Sequence, residues 1–223
     1  MKRTVVLSLI AVLVLLAPVC EALPILITSR AALGGNDFFD WGVLGPEGTG
    51  VADPFLIPSD SGATIATVTN PTGSFLRLDQ SSGWSGNFAP GDQLIWTQFG
   101  SNGPMDIAFS SPVFGAGAQI QANFFGSFTG MIDVYNPANV LIASFALAGV
   151  SNANNNNSAI FLGVLDTSPS IGRIVYSVNH PTQPDDFAIN QLDIVAVPEP
   201  GTLLLLGAGL AGLGVRARRK RLP

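Results

Sequence analysis

The sequence predicts an all-β fold: an antiparallel β-sandwich of jelly-roll type, flanked by an N-terminal signal peptide and a short C-terminal transmembrane helix. Three observations predict it. Between residues 23 and 196 about ten short alternating segments are separated by Gly, Pro, Asn and Asp turns. No amphipathic helical stretch of convincing length interrupts them. The long apolar runs lie at the two ends of the 223-residue chain, outside this middle region.

The elements follow in order. Pro24–Thr28 reads as a first strand, and Ser29–Gly34 as one helical turn. Strands are then expected over Ala63–Thr69, Phe75–Asp79, Gln93–Gln98, Met105–Ser110, Ala116–Phe125 and Phe128–Tyr135. Val140–Leu147, Ala159–Leu165, Ile171–Val178 and Phe187–Val197 complete the set. Explicit turns separate them, among them Asn70-Pro71-Thr72-Gly73, Ala89-Pro90-Gly91-Asp92, Asn102-Gly103-Pro104 and Asn136-Pro137-Ala138-Asn139. The two-residue period is clearest in the second half. Ile132 and Val134 share a face and Asp133 takes the other; Ile174, Tyr176 and Val178 face together and Arg173 faces away. In the last segment Ala188, Leu192, Ile194 and Ala196 are expected on one side, with Phe187, Ile189, Gln191 and Asp193 opposite. A closed barrel is the alternative arrangement of the same strands.

Charge divides the chain as sharply as hydrophobicity does. Of 10 basic residues, Lys2 and Arg3 open the chain and Arg216, Arg218, Arg219, Lys220 and Arg221 close it. Only Arg30, Arg77 and Arg173 remain in the middle, against 13 acids between Asp37 and Asp193. An acidic domain of this kind repels phosphate backbones, which argues against a nucleic-acid partner. A single cysteine, Cys20, excludes an intrachain disulfide, so apolar burial must hold the core.

Residues 1–22 have the three parts of a secretory signal peptide: the basic start, an apolar run from Val5 to Val19, and Cys20-Glu21-Ala22 before a cut that leaves Leu23 first. The partners this implies are the secretion machinery and signal peptidase. A retained anchor and a lipoprotein signal using Cys20 are the alternatives; Ala17-Pro18-Val19 fits the second poorly. Residues 23–196 are the exported domain, and 197–223 have a different grammar. Pro198, Glu199 and Pro200, followed by Gly201, cannot continue a strand and punctuate the end of the domain. Residues 202–215 form an apolar helix candidate of 14 residues, containing Gly207, Gly209, Gly212 and Gly214. At ~1.5 Å per residue it covers about 21 Å of a hydrocarbon layer about 30 Å thick. The basic residues 216–221 would stay cytoplasmic and leave the acidic domain outside.

This ordered constellation resembles the PEP-CTERM sorting signal of bacteria that make extracellular polysaccharide. The resemblance implies that Pro198, Glu199 and Pro200 are a recognition element for an exosortase, and that Arg216, Arg218, Arg219, Lys220 and Arg221 are a basic stop. It implies transient membrane insertion through the C-terminal helix, then residence at the cell surface or in the extracellular matrix. The middle also resembles the ectodomain found in many proteins with that signal. Arg30-Ala31-Ala32-Leu33 with Asp40-Trp41-Gly42, the run Gly115 to Gln121, Ala159 to Val164 and Asp186 to Asn190 carry the likeness, which implies a lectin-like sandwich.

Chemistry is sparsely provided. His180 is the sole histidine, and one His without a retained thiol cannot build the usual hydrolase or zinc constellations. Two carboxylates could run glycoside hydrolysis, but nothing in the spacing of the acids pairs them. No cofactor is implied. Calcium would suit the oxygen-rich cluster Asp185, Asp186 and Asn190, although alternation puts Asp185 on the other face; a solvated turn is the plainer reading. Trp84, in the polar loop Ser81 to Asn87, is the candidate stacking platform for a glycan, whereas Trp41 and Trp96 are expected in the core. Asn152 to Asn157 reads as a polar loop. These readings predict an exported, non-enzymatic surface or matrix protein, sorted by exosortase and associated with exopolysaccharide. A carbohydrate-binding module, calcium-assisted or not, is the alternative, and a secreted hydrolase the remote one.

Overall fold

The computed structural model describes residues 23–71, 73–98, 103–181 and 184–197. The expected signal peptide (1–22), and the tail from Pro198 onward with its expected helix and its basic cluster, lie outside the described residues. Among the described residues no helix is long and apolar enough to cross a membrane.

Two antiparallel sheets face one another. The larger contains β1 (Ile25–Ile27), β2 (Asp37–Phe39), β3 (Thr49–Val51), β6 (Phe75–Asp79), β7 (Gln93–Trp96), β9 (Gly115–Ala122), β12 (Ile160–Leu165), β14 (Phe187–Ile189) and β15 (Leu192–Val195). Its order is β1-β12-β9-β14-β7-β6-β3, with β15 joining β9 to β2. The smaller sheet contains β4 (Phe55–Pro58), β5 (Ile65–Thr69), β8 (Met105–Val113), β10 (Gly126–Tyr135), β11 (Leu141–Ser151) and β13 (Ile171–Asn179). Its order is β11-β10-β13-β8-β5-β4. The predicted sandwich is therefore the observed one. The helical turn α1 (Arg30–Leu33) forms as expected, capped by the Ser29 hydroxyl, which accepts from Ala32 N at 3.2 Å.

The main core lies between the sheets and obeys the two-residue period. Ile132 and Val134 from β10, and Ile174, Tyr176 and Val178 from β13, are all fully buried in it. Trp41, Phe55 and Phe75 stack edge-on through the same layer, with ring centroids 6.4 and 5.3 Å apart. The Tyr176 hydroxyl crosses the core and donates to Leu162 O of the other sheet at 2.8 Å. This buried bond ties the layers together in a way that burial alone cannot.

Four features differ from the sequence reading. β2, β3 and β4 are strands in segments where none was expected; they are short and hold Gly50 or end at Pro58, so they carry little periodic signal. A 3-10 turn over Trp41–Leu44 was equally silent. β11 runs on to Ser151, four residues past its predicted end. The last predicted strand is broken. Phe187 to Ile189 pair with Ala122 to Ile120, and Asp193 to Val195 pair with Gly117 to Gly115, so one extra residue is inserted near Asn190 and Gln191. Phe187 and Ile189 point into the core before this bulge, and Leu192 and Ile194 after it. The expected single face over residues 187–197 is thus two half-faces of opposite parity.

Candidate functional site: a polar seam on the outer face of the large sheet

The outer face of the nine-stranded sheet is covered rather than bare. Ile27, Leu33 and Phe161 form one small apolar cluster beneath α1. Gly117 and Gly163 lie opposite each other in β9 and β12, and a Cβ on either would sit 2.7 or 2.9 Å from the Phe161 ring. Their bare backbones are what let that ring lie over the sheet. A second cluster, Leu78, Trp84, Phe88, Leu94, Ala159 and Ala188, forms beneath the loop after β6.

Between the two clusters runs a seam of amides centred on Asn190. The bulge places its side chain at the fork where β14, paired with β7, gives way to β15, paired with β2. Asn190 Oδ1 accepts from Arg30 Nη2 and from Gln119 N, both at 3.0 Å. Its Nδ2 donates to Asp92 Oδ2 at 2.9 Å and to Gln119 Oε1 at 2.7 Å. Trp41 Nε1 donates to its carbonyl at 2.8 Å. Arg30 forms an ion pair with Asp193 and lies 5.8 Å from the Phe161 ring centre. Burial raises the Asp193 carboxyl above the usual range, and Arg30 opposes that shift.

The Asn152 to Asn157 segment, read from sequence as a polar loop, is pinned across this face. Asn155 N donates to Gly86 O at 2.9 Å, and Asn155 Oδ1 accepts from Gln80 Nε2 at 3.0 Å and Ser81 Oγ at 2.7 Å. Asn157 Oδ1 accepts from Gln119 Nε2 at 3.0 Å. Asn87 anchors the base: its Oδ1 accepts from Asn152 N at 3.0 Å, and its Nδ2 donates to Val150 O at 3.1 Å. Asn155 and Asn157 take φ values of +52° and +61°, which asparagine tolerates better than most residues. The result is a fixed ridge from which Asn154 and Asn156 stand exposed. A recess of about 290 Å³ lies on one side, lined by Gln80, Ser81, Ser82, Trp84 and Asn155. Another of about 440 Å³ lies on the other, lined by Ser29, Arg30, Gln119, Asn157 and Ser158. The groups offered are amides and hydroxyls, each able to pair with a ligand hydroxyl in either sense.

The predicted site residues fall out differently. Trp84 is a correction: it is only 5 % exposed, with Trp96 and Phe88 ring centres 6.1 and 6.5 Å away. The loop expected to display the ring folds back and uses it as the floor of the second cluster, so its face is not open for stacking. The calcium cluster is a second correction. Asp185 is fully buried and accepts from Phe124 N at 3.2 and 3.1 Å, whereas Asn190 is spent on the amide seam. Asp186 and Asn190 are four residues apart, about 13 Å in extended chain, far beyond one metal shell. Among the described residues no three His, Cys, Asp or Glu side chains converge on a common point. His180 lies beside this region, its ring 6.3 Å from Phe124. Burial pushes the Asp185 carboxyl up to about 6, against the Phe124 N–H and the His180 charge, which favour its ionised form. Sequence reasoning passed over Phe124 and Phe125, which are exposed in the turn into β10, and also Gln119 and Asn190 as hydrogen-bonding hubs. The signal available for the amides was their density, but no spacing rule links residues 119, 157 and 190.

At the end of the domain, Asn36 clamps Ala196: its Oδ1 accepts from Ala196 N at 2.7 Å and its Nδ2 donates to Ala196 O at 3.2 Å.

Fold and site thus define a β-sandwich with an amide-lined outer face, secured by side-chain hydrogen bonds up to the residue where its C-terminal extension begins. That extension carries the likeness to a known class: residues 196–220 match the PEP-CTERM protein-sorting motif, which implies an exported, exosortase-sorted protein. No curated protein matches the chain. Among solved structures it is similar to a DUF4465 family protein from Bacteroides caccae, at 11 % identity over 71 % of this chain and 99 % of that one, with a TM-score of 0.42. It is also similar to a carbohydrate-binding module from Clostridium stercorarium in complex with cellobiose, at 7 % identity over 58 % and 86 %, TM-score 0.31. A family 29 carbohydrate-binding module matches at 17 % identity over 62 % and 97 %, TM-score 0.29. Likenesses at these scores carry no inference about a ligand.

Proposed function

We propose that the mature chain is a non-enzymatic protein of the cell surface or extracellular matrix that associates with polysaccharide through the amide ridge around Asn152–Asn157. The supporting observation is the ridge itself: a rigid row of neutral donors and acceptors between two polar recesses, on a domain that is otherwise acidic. Polysaccharide offers hydroxyl pairs at a regular spacing, which a fixed row of amides can meet without losing side-chain freedom on binding. The non-enzymatic reading is supported by the use made of the buried carboxylates. Asp37 accepts from Phe38 N and Ser61, Asp166 from Thr167 and Ser170, Asp185 from Phe124 N at the turn into β10, and Asp193 is paired with Arg30. Each is engaged in holding a turn or a cation rather than being poised toward a recess.

The test is retention of the full-length protein on extracellular polysaccharide from its native host, and on a glycan array, with and without EDTA. We expect retention that EDTA leaves unchanged and that the double variant Asn154→Ala with Asn156→Ala weakens at least about tenfold. Retention unaffected by the double variant would remove the ridge from the function, and failure to bind any glycan would remove the polysaccharide reading.

A further inference from the structure

The two edges of the six-stranded sheet are unlike. β4 is four residues long, with Pro54 just before it and Pro58 at its end, so that edge has little to offer another strand. β11 is eleven residues long, and Leu141–Ser151 contains neither a charged residue nor a proline. Its pairing with β10 is unbroken from Val134↔Ala143 to Gly126↔Ser151; the one irregularity lies at its start. Among the described residues no strand pairs its other side. A straight, neutral edge of this length presents a row of backbone N–H and C=O groups to any strand that can match it, and protein surfaces ordinarily guard such edges with lysine, proline or a bulge.

The faces of β11 restrict what can match. Ala143, Phe145 and Leu147 pack against the main core but remain partly exposed, because the sheet ends beside them. Ser144, Ala146, Ala148 and Val150 stand exposed on the opposite face. A partner strand must therefore bring apolar side chains on one face, uncharged ones that are small near its centre on the other, and no carboxylate. The last condition matters because residues 23–197 carry 13 acids against three arginines, and a second acidic edge would be repelled.

We propose that β11 is a homophilic edge, through which two copies of this chain pair antiparallel to make one continuous twelve-stranded sheet. β11 meets every condition for its own partner. With the two-fold axis at Ala146, Phe145 lies opposite Leu147 of the other copy, Ala143 opposite Gly149 and Ser144 opposite Ala148. Residues of like parity meet, so the inner faces stay on one side and the two cores become continuous. The symmetry is closed, so assembly through this edge stops at two copies.

The test is sedimentation velocity on the full-length chain in mild detergent, comparing wild type with Ala146→Lys and Ala146→Asp. Residue 146 is exposed, so either change leaves the monomer fold intact, which circular dichroism checks. We expect a wild-type dimer, at least about tenfold weaker dimerisation in each variant alone, and recovery of the dimer on mixing the two variants, where opposite charges face each other. A wild-type monomer across the micromolar range would overturn the proposal, including the case in which another segment of the same chain covers the edge. So would a dimer that neither variant weakens, which would place the contact elsewhere, such as on the glycine-rich tail. A mixture that stays monomeric would overturn the register centred on Ala146.

Discussion

Replacing Asn190 by alanine tests whether this residue is a structural hub or a metal ligand. The substitution removes four side-chain hydrogen bonds, to Arg30, Asp92 and both the backbone N–H and side-chain oxygen of Gln119. Each is worth about 1 kcal/mol net, and a buried N–H left without a partner costs about 1–3 kcal/mol. Arg30 keeps Gln191 O and Asp193, and Asp92 keeps Ala89 N, which limits the loss on those sides. The expected destabilisation is about 3–4 kcal/mol. Urea unfolding followed by tryptophan fluorescence is the assay, since Trp41 Nε1 bonds the Asn190 carbonyl. With an m-value near ~2 kcal/mol/M, the midpoint should fall by about 1.5–2 M. Asn190→Asp keeps the shape but sets a carboxylate against Asp92, so it should be less harmful at pH 4 than at pH 7. A loss for Asn190→Ala below about 1 kcal/mol would refute the hub. Wild-type stability that rises with calcium, and no longer does so in the variant, would restore the metal reading.

Three further outcomes follow from the same geometry. Asp185 has a folded-state value of about 6 against an ordinary 3.8, so the native state holds its proton more tightly than the unfolded chain. That contribution is fully present below the unfolded value and is lost as pH rises from about 4 to above 6, by up to about 3 kcal/mol. Asp185→Asn should flatten the urea midpoint over that window; an unchanged pH profile would show that Asp185 ionises freely in the fold. Tyr176→Phe removes the bond to Leu162 O between the sheets and should cost about 1–2 kcal/mol by thermal unfolding, with no change in secondary structure; a neutral result would mean that the bond is replaced. Mass spectrometry of the mature protein from its host should find Leu23 at the N-terminus and a chain that ends before Pro223; an intact C-terminus in surface protein would argue against exosortase processing.

How much was legible depended on the distance over which each feature is determined. The strands around Ile132 and Ile174 could be read because apolar alternation is local and one side of each strand faces the core. β2 to β4 could not, because three- and four-residue strands owe their conformation to the partners they pair with. Trp84 shows the hazard at a candidate site. A polar, glycine-rich neighbourhood suggests exposure, yet the same small residues let the loop fold tightly enough to bury the ring.

The sequence by itself determined the sorting tail, the acidic and nearly cation-free domain, and the β class. Each is a property of order, composition or two-residue period, and these exist before the chain folds. The tertiary structure alone decided the parity switch at Asn190, the amide seam joining residues 30, 92, 119 and 190, and the position of β11 at a sheet edge that no other described strand pairs. These depend on which distant strands become neighbours, and the sum of many weak contacts across the whole sandwich sets that choice.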